Sequence, residues 1–459
     1  MVLIKSISGI RGTIGGEVGD SLTPLDIVRY TASYANWLKK RSKNSKVVIV
    51  GRDARISGSA VNGIVCNTLM LSGLDVIDLG LSTTPTVEIA VQLENAAGGI
   101  IITASHNPKN WNALKLLNSE GEFLSEKDGR AVLELADNDD FSFQGVNELG
   151  TCKNDYSYRD KHIKQILNLP YVNIDAIRRS KFKVVIDAVN STGGIFIPDL
   201  LDALGVEYVK INCEPNGNFS HNPEPLAENL IDLSREVVSH QADLGIAVDP
   251  DVDRLAFVCE DGSMFGEEYT LVAIADLILS KKSGNTVSNL SSTRALQDIT
   301  HKYGGYYYAS AVGEVNVVKK MKQKNAIIGG EGNGGVILPE LHYGRDALVG
   351  IALFLTLLTE REISCTALKS SLPEYYIAKN KIELNKVVNL TNIFDFLEKK
   401  YKDEDINKVD GLKIDFKDKW VHLRKSNTEP IIRIYAEAKN KADAKEMIEI
   451  IFTDIKNII

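Results

Sequence analysis

A chain of 459 residues is too long for one hydrophobic core, and its length implies about three or four domains. With 44% hydrophobic and 25% charged residues it has a soluble globular composition, and a formal net charge of -8 with no dominant basic run argues against nucleic acid as a partner. The N-terminus lacks a secretory apolar region, no apolar stretch reaches the roughly 18 residues of a membrane span, and the five cysteines are scattered without a CxxC pair. A cytoplasmic protein with reduced thiols, no zinc site and no membrane partner is expected.

Near the start, Ser8-Gly9-Ile10-Arg11-Gly12 sets one arginine between glycines, where backbone and guanidinium can both approach an anion. Thr23-Pro24 reads as a helix start, with Leu25, Val28, Ala32, Ala35 and Leu38 at helical spacing. Lys46 to Val50 reads as a strand, Ser59 to Leu71 as a helix and Asp75 to Leu79 as a strand, an alternation that predicts βαβ units around a mostly parallel sheet. Arg52 and Arg55, in the turn after the first of these strands, are expected to pair with nearby carboxylates or to help hold the serine loop, with the structural role the larger share. In Gly98 to Leu117, GGIIITASHNPKNWNALKLL, the isoleucines form a buried strand and Thr103 to Pro108 follow at its carboxyl end, where open α/β sheets display reactive groups. Ser105 is the candidate nucleophile there, although Ser, Asn and Pro are also ordinary turn residues and His106 could be a solvated loop histidine.

The charged segment Ser125 to Asp140 is expected to lead away from the first domain, with a boundary at Asn147 to Lys153. The strand Val184 to Asp187, a Gly-rich turn and a helix at Ile195 to Leu204 restart the pattern, and Pro215 to Leu230 is too turn-prone for a regular element. A strand at Leu244 to Val248 then ends in Asp249-Pro250-Asp251-Val252-Asp253-Arg254. Carboxylates at alternate positions can converge as hard oxygen ligands for Mg²⁺, the alternative being an acidic turn satisfied by backbone donors. A third round has a helix at Glu268 to Ser280, strands at Thr286 to Leu290 and Ala326 to Ile328, and a loop from Gly329 to Gly335. Gly330 to Gly335 satisfies GxGxxG, but Val336 to Pro339 is extended rather than helical, which rejects a dinucleotide site. From about Ala367 strands are expected near Tyr375 to Ile382, Leu412 to Phe416, Trp420 to Leu423 and Ile431 to Tyr435, before a helix at Lys441 to Ile455. Between two of them Arg424-Lys425-Ser426-Asn427-Thr428-Glu429-Pro430 offers a guanidinium fork with hydroxyl and backbone donors, which suits a phosphate dianion or a well-capped turn.

TASHNP followed by Asn112 and Lys115 resembles the phosphoserine loop of the α-D-phosphohexomutases, the family of phosphoglucomutases, phosphomannomutases and phosphoglucosamine mutases. DPDxDR resembles their metal loop, Val312-Gly313-Glu314 and Glu331-Gly332-Asn333 their substrate and sugar loops, and RxSNTEP their phosphate loop, in the family's order along the whole chain. The implied fold is α/β: three similar mixed α/β domains with mostly parallel sheets plus a smaller α+β C-terminal domain, around a central cleft. Their expected extents are 1-150 for the phosphoserine loop, 151-253 for the metal loop, 254-366 for sugar recognition and 367-459 for phosphate binding.

The resemblance implies that Ser105 carries a phosphoryl group with Arg11, His106, Lys115 and Arg254 around it, and that Ser105, Asp249, Asp251 and Asp253 hold Mg²⁺. It further implies that Gly313, Glu331, Asn333, Arg424, Ser426, Asn427, Thr428 and Arg433 bind substrate. The activity implied interconverts hexose 6-phosphate and hexose 1-phosphate through a hexose 1,6-bisphosphate, with a phosphorylated hexose or hexosamine as partner and a monomer or homodimer as the assembly. Glucosamine phosphate is favoured; mannose or glucose phosphate is the close alternative, because many members have Ser where this chain has Asn333 and Glu331-Gly332-Asn333 matches none of the family's patterns decisively, while Ala113, where members usually have Gly, alters the backbone of the serine loop. An Asp-dependent phosphatase using Asp249 and Asp251, and a catalytically silent sugar-phosphate binder, are the readings from other classes.

Overall fold

The computed structural model describes residues 2–6, 9–41, 44–383, 390–425 and 431–456. The chain divides into two units, Met1–Thr270 with Asn333–Lys369, and Leu271–Gly332 with Ser370–Ile459.

The first unit is built on two sheets. Strands β1 (Leu3–Ser6), β2 (Gly9–Thr13), β3 (Val47–Arg52), β4 (Asp75–Leu81), β5 (Gly98–Ile102), β6 (Trp111–Leu117) and β7 (Cys152–Asn154) form one sheet in the order β1-β2-β6-β5-β3-β4-β7. The run β5-β3-β4-β7 is parallel and the other pairings are antiparallel, so the sheet is mixed. Its centre is fully buried, as unbroken runs such as Ile100 to Ile102 demand. Gly98 belongs to this packing: a Cβ there would meet the Tyr34 hydroxyl at 2.3 Å and the Leu117 carbonyl at 2.6 Å. That hydroxyl donates to the Leu117 carbonyl at 2.5 Å, pinning helix Pro24–Arg41 against the β5–β6 pair at the centre of the sheet. Strands β8 (Lys183–Asp187), β9 (Glu207–Ile211), β10 (Leu244–Val248) and β11 (Leu255–Cys259) make the second sheet, in the order β11-β10-β8-β9, and β10 and β11 form a hairpin.

In the second unit β12 (Asn285–Asn289), β13 (Tyr307–Ser310) and β14 (Ala326–Glu331) pair in parallel, while β15 (Gly335–Ile337) falls in the first unit. The C-terminal strands β16 (Tyr376–Glu383), β17 (Asp405–Asn407), β18 (Leu412–Asp415), β19 (Trp420–Lys425) and β20 (Ile431–Ala438) form an antiparallel sheet, order β16-β20-β19-β18-β17, backed by helices Leu390–Lys400 and Lys441–Lys456. The α/β class with several domains therefore holds.

Two sequence expectations need correction. Leu25 is 64% exposed, and the buried stripe of its helix runs through Ile27, Tyr30, Tyr34 and Leu38; the two tyrosines, whose rings bury like aliphatic groups, set the phase. Ser125 to Asp140 does not lead away: Ser125 caps helix Glu126–Asp137, whose Val132 and Ala136 pack into the same core cluster as helix Pro24–Arg41. Part of the expected boundary is β7, an edge strand pairing with β4. Helix Ala347–Arg361 is absent from the sequence reading because it is buried from Ala347 through Leu358 and so shows no amphipathic stripe.

Asp346, the N-cap of that helix, joins a buried polar network. Its Oδ2 lies 2.9 Å from His162 Nε2 and 3.3 Å from His342 Nε2, and His342 Nδ1 lies 3.2 Å from Glu88 Oε2. Burial alone would lower the His342 pKa, but Asp346 and Glu88 outweigh it and raise it from 6.5 to about 10. A raised folded-state value stabilises the fold fully below the unfolded value and loses that contribution as pH rises through the folded value. The urea midpoint should therefore fall between pH 6.5 and 10, and His342→Gln should flatten that part of the profile. An unaltered slope in the variant would mean that His342 is not the group responsible.

Candidate active site

The sequence places Ser105 just beyond β5, and the structure shows why the turn there is fixed. Ser105 sits at φ 49°, a left-handed conformation uncommon outside glycine, so the surroundings must hold it. Arg55 does so: its Nη2 donates to the carbonyls of Ser105 (2.5 Å) and Asn107 (2.7 Å), and its Nη1 to those of Pro108 (2.6 Å) and Trp111 (3.0 Å). Its Nε donates to the buried Asp53 carboxylate at 3.0 Å, which also accepts from the Thr103 hydroxyl, and Thr103 Oγ1 in turn accepts the Ser105 N–H. Arg55 thus both pairs with a carboxylate and holds the serine loop.

The Ser105 hydroxyl donates to Asp249 Oδ2 at 2.7 Å, joining the serine loop to the acidic turn between β10 and β11. Asp249, Asp251 and Asp253 are all fully buried, and one oxygen of each lies within 4.8 Å of one oxygen of the others. The turn is strained as well, since Val252, a β-branched residue, stands at φ 62°. Protein donors satisfy only one side of the cluster. Asp249 Oδ1 accepts the backbone N–H groups of Asp253 and Arg254; Asp251 Oδ2 accepts from the Thr84 hydroxyl at 2.6 Å and Lys115 Nζ at 2.7 Å; Asp253 Oδ2 accepts from Arg345 Nη2 at 2.7 Å. The Oδ1 atoms of Asp251 and Asp253 are buried with no hydrogen-bond partner. Orphaned anionic oxygens beside a third carboxylate are the donor set of a hard dication, and the residues present fit Mg²⁺.

The charges tune one another. Burial, then the charges of Asp251 and Asp253, push the Asp249 carboxyl well above the usual range, a balance that a bound dication would reverse. Burial opposes the charge on Lys115, but Asp251 and Asp253 outweigh it and hold the ammonium above the ordinary lysine value. Burial and the cations Arg254 and Arg11 keep His106 well below its ordinary value, so at neutral pH it is an uncharged imidazole, with Nδ1 3.3 Å from Ser105 Oγ. Arg11 lies on β2 opposite Ala113 and feels the charges of Arg254 and Asp251. Arg254 donates to Glu224 at 2.9 Å, while its Nε is buried without a partner. The first unit therefore brings together every residue that the sequence resemblance places at the phosphoryl group and the metal.

Asn333, also in this unit, accepts the Gly335 N–H at 3.2 Å and closes its own turn. In the second unit Glu331 Oε1 accepts from the Gly313 N–H at 3.0 Å and from Asn289 at 2.8 Å, so two expected substrate residues meet. Arg424 and Arg433 stand directly opposite on β19 and β20, and Lys381 continues the row on β16. Like charges in opposed positions are destabilising and fit a surface that takes an anion. Ser426, Asn427 and Thr428 lie outside the described residues.

The sequence reading missed Thr84, Glu224 and Arg345. Thr83-Thr84-Pro85 carried a signal, an N-cap with proline in the first turn, and it opens helix Thr84–Leu93. Glu224 sits in an irregular segment with no pattern to read. Arg345 precedes the helix cap Asp346, and its side chain occupies the space over Gly335, where a Cβ would meet Arg345 Cδ at 2.2 Å.

All four domains of the phosphoglucomutase/phosphomannomutase family match the chain: α/β/α domains I, II and III at residues 4–143, 160–262 and 266–376, and the C-terminal domain at 386–453. A phosphoglucomutase/phosphomannomutase of Thermococcus kodakarensis is 35% identical over 96% of both chains. A phosphoglucosamine/phosphogalactosamine mutase of Sulfurisphaera tokodaii is 31% identical over 98% of both. The crystal structure of a phosphoglucomutase/phosphomannomutase family protein from Burkholderia thailandensis superimposes with a TM-score of 0.86 at 25% identity, covering 100% of this chain and 98% of that one. The chain belongs to the phosphoglucomutase/phosphomannomutase family of α-D-phosphohexomutases and is a phosphohexomutase, an isomerase that works by intramolecular phosphotransfer. Among the described residues no helix is long and apolar enough to cross a membrane.

Arg345→Ala removes a charged hydrogen bond to Asp253, a loss of roughly 1.5 to 3 kcal/mol, and should lower mutase kcat/KM by about tenfold to 150-fold. Circular dichroism would confirm an intact fold, and near-normal efficiency would show that Asp253 is held without it.

Proposed function

We propose that the protein interconverts glucosamine 6-phosphate and glucosamine 1-phosphate through a phosphorylated Ser105 and a bisphosphorylated sugar. The observation that carries this reading is the junction of Ser105 with the acidic turn: a serine hydroxyl 2.7 Å from Asp249, beside two buried carboxylate oxygens that no protein donor reaches. Asp249, Asp251 and Asp253, with an oxygen on Ser105, would hold Mg²⁺. When bound, the ion neutralises the phosphoryl group and draws charge from the leaving oxygen.

The chain's own residues supply the rest. A free sugar hydroxyl attacks the phosphorus of phosphorylated Ser105; the new P–O bond to sugar forms as the bond to Ser105 Oγ breaks, leaving a bisphosphate. His106, uncharged and next to Ser105, accepts the proton of the attacking hydroxyl, and Lys115, kept charged by Asp251 and Asp253, donates to the departing oxygen. Arg11 and Arg254 stabilise the transferring group. The bisphosphate then returns its other phosphate to Ser105. Recognition of sugar hydroxyls falls to Glu331, Gly313 and Asn333, and of the non-reacting phosphate to Arg424, Arg433 and the segment Ser426-Asn427-Thr428. Because that phosphate is first on one end of the sugar and then on the other, the row of cations on β19 and β20 must accept either.

The hexosamine assignment follows relatives such as that of Sulfurisphaera tokodaii, and the Thermococcus kodakarensis relative supports glucose and mannose phosphates as a second reading. Side-by-side assay of the 1-phosphates of glucosamine, N-acetylglucosamine, mannose and glucose should give glucosamine 1-phosphate the highest kcat/KM. A higher value for glucose or mannose would establish the second reading. A chelator should abolish turnover and added Mg²⁺ restore it; activity that persists in the chelator would remove the metal assignment.

Arg424→Lys keeps the charge but loses the planar fork, which at roughly 1 to 3 kcal/mol should lower kcat/KM by about 5-fold to 150-fold. Free sugar bisphosphate should accumulate in single-turnover mixtures of the variant. Unchanged efficiency and no released bisphosphate would assign Arg424 a structural role.

A further inference from the structure

Two helix N-termini hold the acidic turn, and a buried chain of polar side chains ties them to each other. At helix Thr84–Leu93, Thr84 donates to Asp251 twice, from its hydroxyl to Oδ2 at 2.6 Å and from its N–H to the carbonyl at 2.9 Å. At helix Ala347–Arg361, the Ala347 N–H donates at 3.2 Å to the carbonyl of Val252, the residue at φ 62°. Arg345, just before that helix, donates to Asp253. Between the two N-termini, Thr86 Oγ1 lies 2.9 Å from His162 Nδ1, and His162 Nε2 lies 2.9 Å from Asp346 Oδ2. The same Asp346 oxygen lies 3.3 Å from His342 Nε2, whose ring returns to Glu88 Oε2 at 3.2 Å from Nδ1. Thr86 and Glu88 are both on helix Thr84–Leu93, so the chain leaves that helix and comes back to it through Asp346.

Every member is buried. Helix capping does not account for the arrangement, because Asp346 caps with Oδ1 alone, accepting the N–H groups of Leu348 at 2.8 Å and Val349 at 3.2 Å. Its other oxygen is given to two histidines, one from helix Tyr158–Leu167 and one from the segment before Arg345. Gly344 belongs to the same design: a Cβ there would come within 1.7 Å of Glu88 Oε2. Two imidazoles buried with two carboxylates are a costly way to start a helix, and apolar packing would serve stability as well. What the chain adds is a fixed placement of Arg345 relative to Thr84. The segments it joins match different family domains, Thr86 and Glu88 in domain I, His162 in domain II and Asp346 in domain III, and all lie in the first unit.

We propose that His162, His342, Asp346 and Glu88 are positioning residues of the mutase site, tying the two helix N-termini together so that Thr84 and Arg345 each occupy one oxygen of Asp251 and Asp253 and leave the other to the cation. The inference rests on the metal reading given above. Mg²⁺ demands near-ideal geometry, so ligands that shift with a loosened helix start bind it less well. His162 is the central link, because its two nitrogens reach one helix each.

Calorimetric titration of Mg²⁺ into the metal-free, unphosphorylated full-length enzyme tests this. His162→Phe keeps a ring and removes both bonds, and should weaken Mg²⁺ binding by about 10-fold to 100-fold, the usual effect of losing a group that orients metal ligands. His162→Gln, whose amide can still donate to Asp346, should recover most of the affinity. The Mg²⁺ activation curve of the mutase should move by the same factor in each variant. If the chain served stability alone, His162→Phe would melt at a lower temperature while the folded protein bound Mg²⁺ as before, and that result would overturn the proposal. Should His162→Phe not fold, Thr86→Val, which exchanges one hydroxyl for a methyl, decides by the same titration: weaker binding supports the proposal and unchanged binding overturns it. An unaltered enzyme that takes up no Mg²⁺ would instead remove the metal reading itself, and this inference with it.

Discussion

Three carboxylates buried in one six-residue turn are the constraint on which the first unit depends. Unpaired charges in a protein interior cost several kcal/mol each, and three of one sign repel as well. The fold answers with donors from separate elements: Lys115 from β6, Thr84 from a helix N-terminus, Arg345 from the segment after β15, Ser105 from its loop, and two N–H groups of the turn itself. Compensation stops short of completion: Asp251 Oδ1 and Asp253 Oδ1 are left buried without a hydrogen-bond partner, in a cluster whose three carboxylates come within 4.8 Å of one another. A cluster that only needed to be stable would be neutralised fully or replaced by apolar packing, so the incomplete pairing supports the proposed cation site.

The same reasoning, with the sign reversed, applies in the second unit. Arg424, Arg433 and Lys381 stand in a row across three strands, an arrangement that strand pairing alone disfavours. Asp410 approaches Arg424 only to 3.7 Å, and Arg424 Nε is buried without a hydrogen-bond partner. An anion with several acceptor oxygens resolves both features at once.

Much of this was legible in the sequence because chemistry concentrated in short segments keeps its spacing. The serine loop, the acidic turn and their flanking strands could be read directly, and the dinucleotide motif could be rejected because β15, not a helix, follows the glycines. What escaped were partners contributed by distant segments. Arg345 acts through Asp253 and over Gly335, and Thr84 through Asp251, so neither carries a local pattern of its own. Phase and burial caused the other misses: the tyrosines of helix Pro24–Arg41 shifted its buried face away from Leu25, and the uniformly buried Ala347–Leu358 offered no stripe to recognise.

The central claim is that Ser105 is the phosphoryl carrier, and a pulse and chase measures it most directly. Enzyme exposed briefly to hexosamine 1,6-bisphosphate labelled in both phosphates should carry label on the peptide containing Ser105, and unlabelled hexosamine monophosphate should then remove it into sugar bisphosphate at a rate no slower than turnover. Label that never reaches Ser105, that sits on Asp249 or Asp251, or that leaves only as inorganic phosphate would contradict the account.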